Sequence, residues 1–241
     1  MKISVVVPAF NEAKLLATSL RSMCAAMEAF HARGWETELI VGDNNSTDTT
    51  GEVARAEGAR VVFEPINQIA RARNAGAAAA TGDWLVFVDA DSHPARELFA
   101  EVAEAVLNPN CFGGGATVRM DEFIFSGWLV THLWNGVSRL HKWCAGSFIF
   151  CETHAFREMG GFSVEFFAAE EVDFSRRLKA LGKTQGRRLF ILHRHPLVTS
   201  ARKMHLYSKW DFLRLLWRQC ISIGGAVKRR DDCHIWYDGR R

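Results

Sequence analysis

Short apolar runs alternate with longer stretches of helical spacing through the first part of the chain. Ile3–Val7, Glu38–Gly42, Arg60–Glu64 and Trp84–Val88 are compact and β-rich. The last of these is unbroken apolar, the trace a strand buried on both faces leaves in a sequence. Between them, Glu12–Arg33 places Leu15, Leu16, Leu20, Met23 and Met27 at roughly helical spacing and stops at Gly34. Ser46 or Asp48 can cap a second helix that runs to Glu57 and ends at Gly58. A third, Ala-rich helix covers Ile69–Ala80 and is stopped by Gly82-Asp83. The order β-α-β-α-β-α-β predicts an α/β fold with a mostly parallel central sheet and helices on both faces.

Beyond residue 90 the pattern loosens. Phe112–Val118 is a Gly-rich strand candidate, and Ala145–Cys151 and Arg188–His193 are further strands. Glu170–Leu181 has helical spacing. Phe123–His141 is apolar and aromatic, a helix or a flap rather than a regular layer. Residues 205–223 form an amphipathic helix with Leu206, Trp210, Leu213, Leu216, Trp217 and Cys220 on one side. No repeat or linker divides the chain, so a single domain over residues 1–241 is expected. Its parts are a first half at 1–92, a second at 111–204, and a basic C-terminal helical extension at 205–241.

Composition narrows the class. At 241 residues a sizeable core is affordable. The first apolar stretch, Met1–Val7, is broken at Pro8 and reads as a strand, not a signal peptide. No run approaches the roughly 18 apolar residues of a membrane span. The six cysteines show neither CxxC nor zinc-like spacing, so they are expected to be reduced and structural in a cytoplasmic protein. Charge is unevenly spread: residues 1–175 carry 13 Lys/Arg against 23 Asp/Glu, residues 176–241 carry 17 against 4. Cations are expected near the acidic strand tips and anionic groups near the basic part. Nucleic acid is not, because the basic residues accompany an acidic rim.

Asp89-Ala90-Asp91 carries the most specific chemistry. The two carboxylates follow a buried strand, are two residues apart and leave its tip together, where an open α/β sheet binds ligands. Two hard oxygen donors there suit a divalent cation held against phosphates. A turn or helix boundary is the plain alternative. Pro8-Ala-Phe-Asn-Glu12, Asp43–Asp48 and Arg71-Ala-Arg-Asn74 reach the same rim. With VVVPAFNE, LIVGDNNSTDTT, ARARNAGAAAATGDWLVFVDADS, GGFSVEFFAAEEVDFSRRLKALGK and VTSARK in this order, the chain resembles the nucleotide-sugar glycosyltransferases of family 2, which have the GT-A fold.

The resemblance implies a nucleotide-binding half at 1–92 and an acceptor and catalytic half at 111–204. Pro8 and Ala9 would press on the base, with Asn11 and Glu12 completing the loop around the nucleoside. Asp43 matches the base-reading carboxylate, which would accept the ring N–H of uracil or guanine; a turn or cap role is the alternative. Arg73 would approach the nucleotide. Asp91 is the candidate ligand of Mn²⁺ or Mg²⁺, while Asp89, beside Ala90, reaches the ribose or the metal through water. Of the acids Glu170, Glu171 and Asp173, Glu171 stands where the family commonly has Asp as catalytic base. Glu170 also suits a helix start, and Asp173 can support the site or pair with Arg176 or Arg177. Arg202 is the candidate contact for the departing diphosphate.

The reaction so implied is inverting transfer of a sugar from a nucleoside-diphosphate sugar to a glycan or lipid-linked acceptor. The chain lacks the QxxRW motif and spans of processive relatives, so single additions are expected. The aromatic stretch 123–143 and the basic extension could bind a polyprenyl-phosphate carrier or touch the inner face of a membrane peripherally. Two rivals remain: a sugar-phosphate nucleotidyltransferase, which usually carries a Gly-rich basic loop after strand one, and an inactive nucleotide-sugar binding protein.

Overall fold

The computed structural model describes residues 1–202. The helix expected at 205–223 and the extension containing it lie outside the described residues. Strands β1 (Lys2–Ala9), β2 (Glu36–Asp43), β3 (Arg60–Phe63) and β4 (Trp84–Val88) form at the apolar runs. They lie parallel in the order β3-β2-β1-β4. Alternation along β1 sends Ile3, Val5 and Val7 into one core and Val6 into the other. Helix α1 (Leu16–His31) packs into the first core, and α3 (Ile69–Ala79) into the second. The sheet is therefore covered on both faces, as the alternating pattern predicts.

Helix α1 starts later than expected, whereas the helix after it starts at the second of its two expected caps. The Glu12 N–H donates to Thr50 Oγ1 at 2.8 Å and the Ala13 N–H to Asp48 Oδ2 at 3.2 Å. These bonds hold the chain in a loop until α1 begins. Helix α2 (Thr50–Ala56) starts where Asp48 Oδ1 accepts the Thr50 N–H at 3.0 Å, and it ends before Gly58 at φ 81°.

After β4 come a two-residue strand β5 (Ser92–His93) and α4 (Arg96–Val106), which had no counterpart among the expectations. Leu98, Phe99, Val102 and Val106 give α4 a buried face against α1. Then follow β6 (Cys111–Met120), α5 (Phe125–His141), β7 (Phe148–Glu152), α6 (Thr153–Glu158), α7 (Glu170–Thr184) and β8 (Arg188–Thr199). The doubtful aromatic stretch is thus a helix. β7 enters antiparallel between β4 and β6, β8 runs parallel to β6, and β5 pairs antiparallel with β8. Four of the seven strand pairings are parallel, and the antiparallel ones all involve a strand that follows β4.

β8 runs six residues past the expected end at His193 because its register slips against β6 between Leu192 and Leu197. The slipped residues face α4. There His195 Nδ1 lies 2.7 Å from Glu101 Oε1, and Arg194 pairs with Glu101 and Glu104. Arg187 likewise pairs with Glu152. Arg187 and Arg194 of the basic part therefore pair with acids of the chain itself. Cys24, Cys111, Cys144 and Cys151 are free thiols. Burial pushes the Cys111 and Cys144 thiols up to about 12, which keeps them protonated and unreactive.

β6 needs its glycines because it threads between two strands. A Cβ on Gly114 would fall onto the Phe190 carbonyl oxygen of β8. Backbone cannot swing aside as a side chain can. Gly114→Ala should therefore cost about 1–3 kcal/mol, read as a lower urea midpoint at unchanged m-value.

Candidate active site

The C-terminal ends of β1, β2 and β4 bring the first group of residues together. Pro8 pairs with Gly42 and Ala9 with Asp43 across the β1–β2 ladder. The next turn is tied to the loop after β2. Asn11, at φ 54°, donates its N–H to Ser46 Oγ at 3.0 Å and accepts the Thr47 N–H at 2.8 Å. Asp43 Oδ1 accepts the Ser46 N–H at 3.0 Å, so the turn role weighed for this residue is occupied by one oxygen. Its second oxygen lies toward Gly51 at the start of α2.

Asp89-Ala90-Asp91 follows β4. Ala90 is buried, and the Asp89 N–H donates to Ser147 O at 3.2 Å. Asp91 is buried, with its carboxylate 3.6 Å from Arg202 Nη2. Arg202 also forks onto Glu12, with both pairings at 3.1 Å. The expected nucleoside-loop acid, metal ligand and diphosphate cation thus meet in one cluster, 190 residues apart at its extremes.

The second group stands at the start of α7. Ala169 takes a left-handed φ of 60°, a conformation costing L-residues about 1–2 kcal/mol, and turns the chain sharply into Glu170. Glu170 is 4% exposed, and its Oε1 accepts Arg73 Nη1–H at 2.6 Å. Arg73, on α3 and 1% exposed, also donates from Nη2 to Asp89 Oδ1 at 3.1 Å and to Gly146 O at 2.8 Å. Its guanidinium lies 5.2 Å from the Phe162 ring centroid. The residue expected to approach the nucleotide joins the two acidic groups.

Glu171 is half-buried beside Arg73 and Gly146. A Cβ on Gly146 would stand 3.4 Å from Glu171 Cδ and 3.5 Å from Arg73 Nη2. Burial, and then the negative charge of Glu170, raise the Glu171 carboxyl to about 8, with Arg73 pulling the other way. Asp173 turns aside to Arg177 Nε at 2.7 Å, the ion-pair alternative considered for it.

Sequence reasoning missed the loop supports. Gln68 Nε2 donates to the carbonyls of Val164 and Phe166 at 2.8 and 2.9 Å. Asn74 bonds both the N–H and the carbonyl of Phe162. These residues of α3 and its entry hold the segment that leads into α7. The available signal was their polarity within an otherwise Ala-rich stretch.

A sequence profile of Glycosyl transferase family 2 matches residues 4–163. The chain belongs to that family. An uncharacterised glycosyltransferase of Mycobacterium tuberculosis is 39% identical over 103 residues, which is 42% of this chain and 43% of the relative. The match thus spans under half the length of that relative. A mannosyltransferase of Pyrobaculum calidifontis, in complex with GDP-Man and Mn²⁺, superposes with a TM-score of 0.68 at 22% identity, covering 90% of this chain and 61% of that one. Glucosyl-3-phosphoglycerate synthase of Mycobacterium tuberculosis, in complex with Mn²⁺, UDP and glucosyl-3-phosphoglycerate, gives 0.63 at 20% identity, covering 96% and 80%. At these identities the likeness shows the shared fold, the one the resemblance implies.

Proposed function

We propose that this chain is a metal-dependent inverting glycosyltransferase. It moves one sugar from a UDP- or GDP-linked donor to an acceptor hydroxyl or a lipid-carrier phosphate. The observation that carries the reading is the Asp89–Arg73–Glu170 bridge. It holds the acids of the strand rim and those of α7 on one guanidinium, so that both sets border a single site.

Pro8, Ala9, Asn11 and Asp43 would hold the nucleoside. Glu171 takes the proton of the acceptor hydroxyl as that oxygen bonds to the anomeric carbon. The bond from that carbon to the diphosphate oxygen breaks on the opposite face, with its electron pair leaving on the diphosphate. Arg202 can take part of that charge by exchanging Glu12 and Asp91 for phosphate oxygens.

The residues also fit a hard divalent cation such as Mn²⁺ or Mg²⁺. Among the described residues, no group of three or more His, Cys, Asp or Glu side chains is arranged to hold one alone. Asp91, with Asp89 beside it, supplies oxygen donors only, the chemistry for a cation shared with substrate phosphates. When bound, the cation would supply charge neutralisation at the diphosphate.

Incubating the chain with UDP- and GDP-sugars and Mn²⁺ tests the reading. Release of the free nucleoside diphosphate is expected, and its loss on chelation. Pyrophosphate release would instead indicate nucleotidyl transfer. Donor binding in a thermal-shift assay without any turnover would indicate a binding protein.

A further inference from the structure

Helix α5 is turned inside out. The face it lays against the protein is mostly small and polar, with Gly127, Thr131, Asn135 and Ser138 and the half-buried Trp134 among them. Gly127 comes so close to β6 that a Cβ there would stand 2.6 Å from Met120 Sδ. Asn135 bonds both backbone groups of Val118, at 3.0 and 2.8 Å. The opposite face projects Phe125, Trp128, Leu129, Val130, Leu133 and Leu140 outward. Phe125, Leu133 and Leu140 are 67%, 63% and 77% exposed. A surface helix of a globular domain shows the reverse arrangement, and a contiguous apolar face of this kind marks an interaction site.

Charge selects the partner. No Asp or Glu occurs between Glu122 and Glu152, while Arg139, His141 and Lys142 gather at the C-terminal end of the helix. A second copy of this face would set like charges near one another. The segment at 203–241 is itself cationic, with nine Lys/Arg against four Asp/Glu. Both make poor covers. An anionic lipid surface satisfies the apolar face and the cations together. No helix among the described residues is long and apolar enough to cross a membrane, so the fitting geometry is one lying in the interface.

We propose that α5 docks the protein on an anionic lipid surface through its outward apolar face. The helix ends two residues before Trp143-Cys144-Ala145-Gly146, whose Gly146 lies against Arg73 and Glu171, and Lys179 of α7 donates to His141 O at 3.0 Å. Docking therefore brings the lipid beside α7 and the short segment that leads to Gly146. Given the transferase reading, on which this last step rests, the acceptor is the lipid-linked one.

Flotation of the full chain with phosphatidylglycerol and with phosphatidylcholine vesicles tests the docking. Binding to the anionic vesicles is expected, weakened roughly tenfold or more in Leu129→Ser/Leu133→Ser and in Arg139→Glu/Lys142→Glu. Far-UV circular dichroism checks that the variants fold. A parallel variant, Leu213→Ser/Leu216→Ser, changes the other apolar stripe. No binding by the wild-type chain would overturn the proposal. So would loss only in the 213/216 variant, or a dimer that Leu129→Ser/Leu133→Ser makes monomeric with vesicle binding unchanged. Nucleotide-sugar turnover is followed on the same samples. Turnover without vesicle binding sinks the docking alone, whereas docking without turnover sinks the transferase reading alone.

Discussion

Replacing Glu171 with Gln is expected to lower kcat by about 10²–10⁴-fold, the usual contribution of a positioned general base. Donor binding should persist, because the residues proposed to hold the nucleoside belong to the strand rim and not to α7. A thermal-shift titration with the donor sugar separates the two. An unchanged kcat would remove Glu171 from the mechanism and leave Glu170 as the acid to examine. The pH profile gives a second readout. With its carboxyl raised to about 8, Glu171 must lose its proton before it can serve as a base. Activity of the wild-type chain should therefore rise with pH through that value.

Stability should move the opposite way. In the unfolded chain the same carboxyl titrates near its usual 4.5. Between about 4.5 and 8 the folded protein holds a proton that the unfolded chain has released. Rising pH across this window therefore favours unfolding, with a slope of at most about 1.4 kcal/mol per pH unit. Glu171→Gln should flatten that slope, which is read from urea midpoints at several pH values.

Arg73→Met is expected to cost about 3–5 kcal/mol of unfolding free energy. It removes the partner of a carboxylate with no water to turn to: the Arg73 and Glu170 side chains are 1% and 5% exposed. Asp89 loses a bond in the same change. The double variant Arg73→Met/Glu170→Gln should recover a large part of the loss, since the damage is a stranded charge and not a missing contact. Strict additivity in the cycle would contradict this account. Arg73 also opposes the rise at Glu171. The residual activity of Arg73→Met should consequently appear at still higher pH, a shift that a purely structural role would not produce.

The sheet rim was legible because its signals are local. An apolar run such as Trp84–Val88 declares a buried strand, and Asp89 and Asp91 follow it directly. Glu170 and Glu171 were legible as helix-start acids after Phe166-Phe167. What joins them was not. Nothing in the spacing of Arg73 within an Ala-rich helix says that its guanidinium runs inward to acids 16 and 97 residues away. The antiparallel entry of β7 was equally hidden, because strand direction depends on how far the intervening chain travels. Helix α4 was overlooked for another reason. Its apolar positions Leu98, Phe99, Val102 and Val106 recur at helical spacing, but over only 11 residues and directly after Asp91-Ser-His-Pro94, which has the composition of a turn. The outward face of α5 reads in sequence like any core helix, and only the packing shows which side turns inward.

The insertion of β7 beside β4 has a consequence for dissecting the protein. A fragment ending before Cys111 would keep every element of the first half and lose β7, the partner that runs along Trp84–Val88. That would leave Trp-Leu-Val-Phe-Val as an uncapped margin with free backbone donors and acceptors, a template for stacking chain upon chain. The acidic rim therefore cannot be studied as an autonomous module.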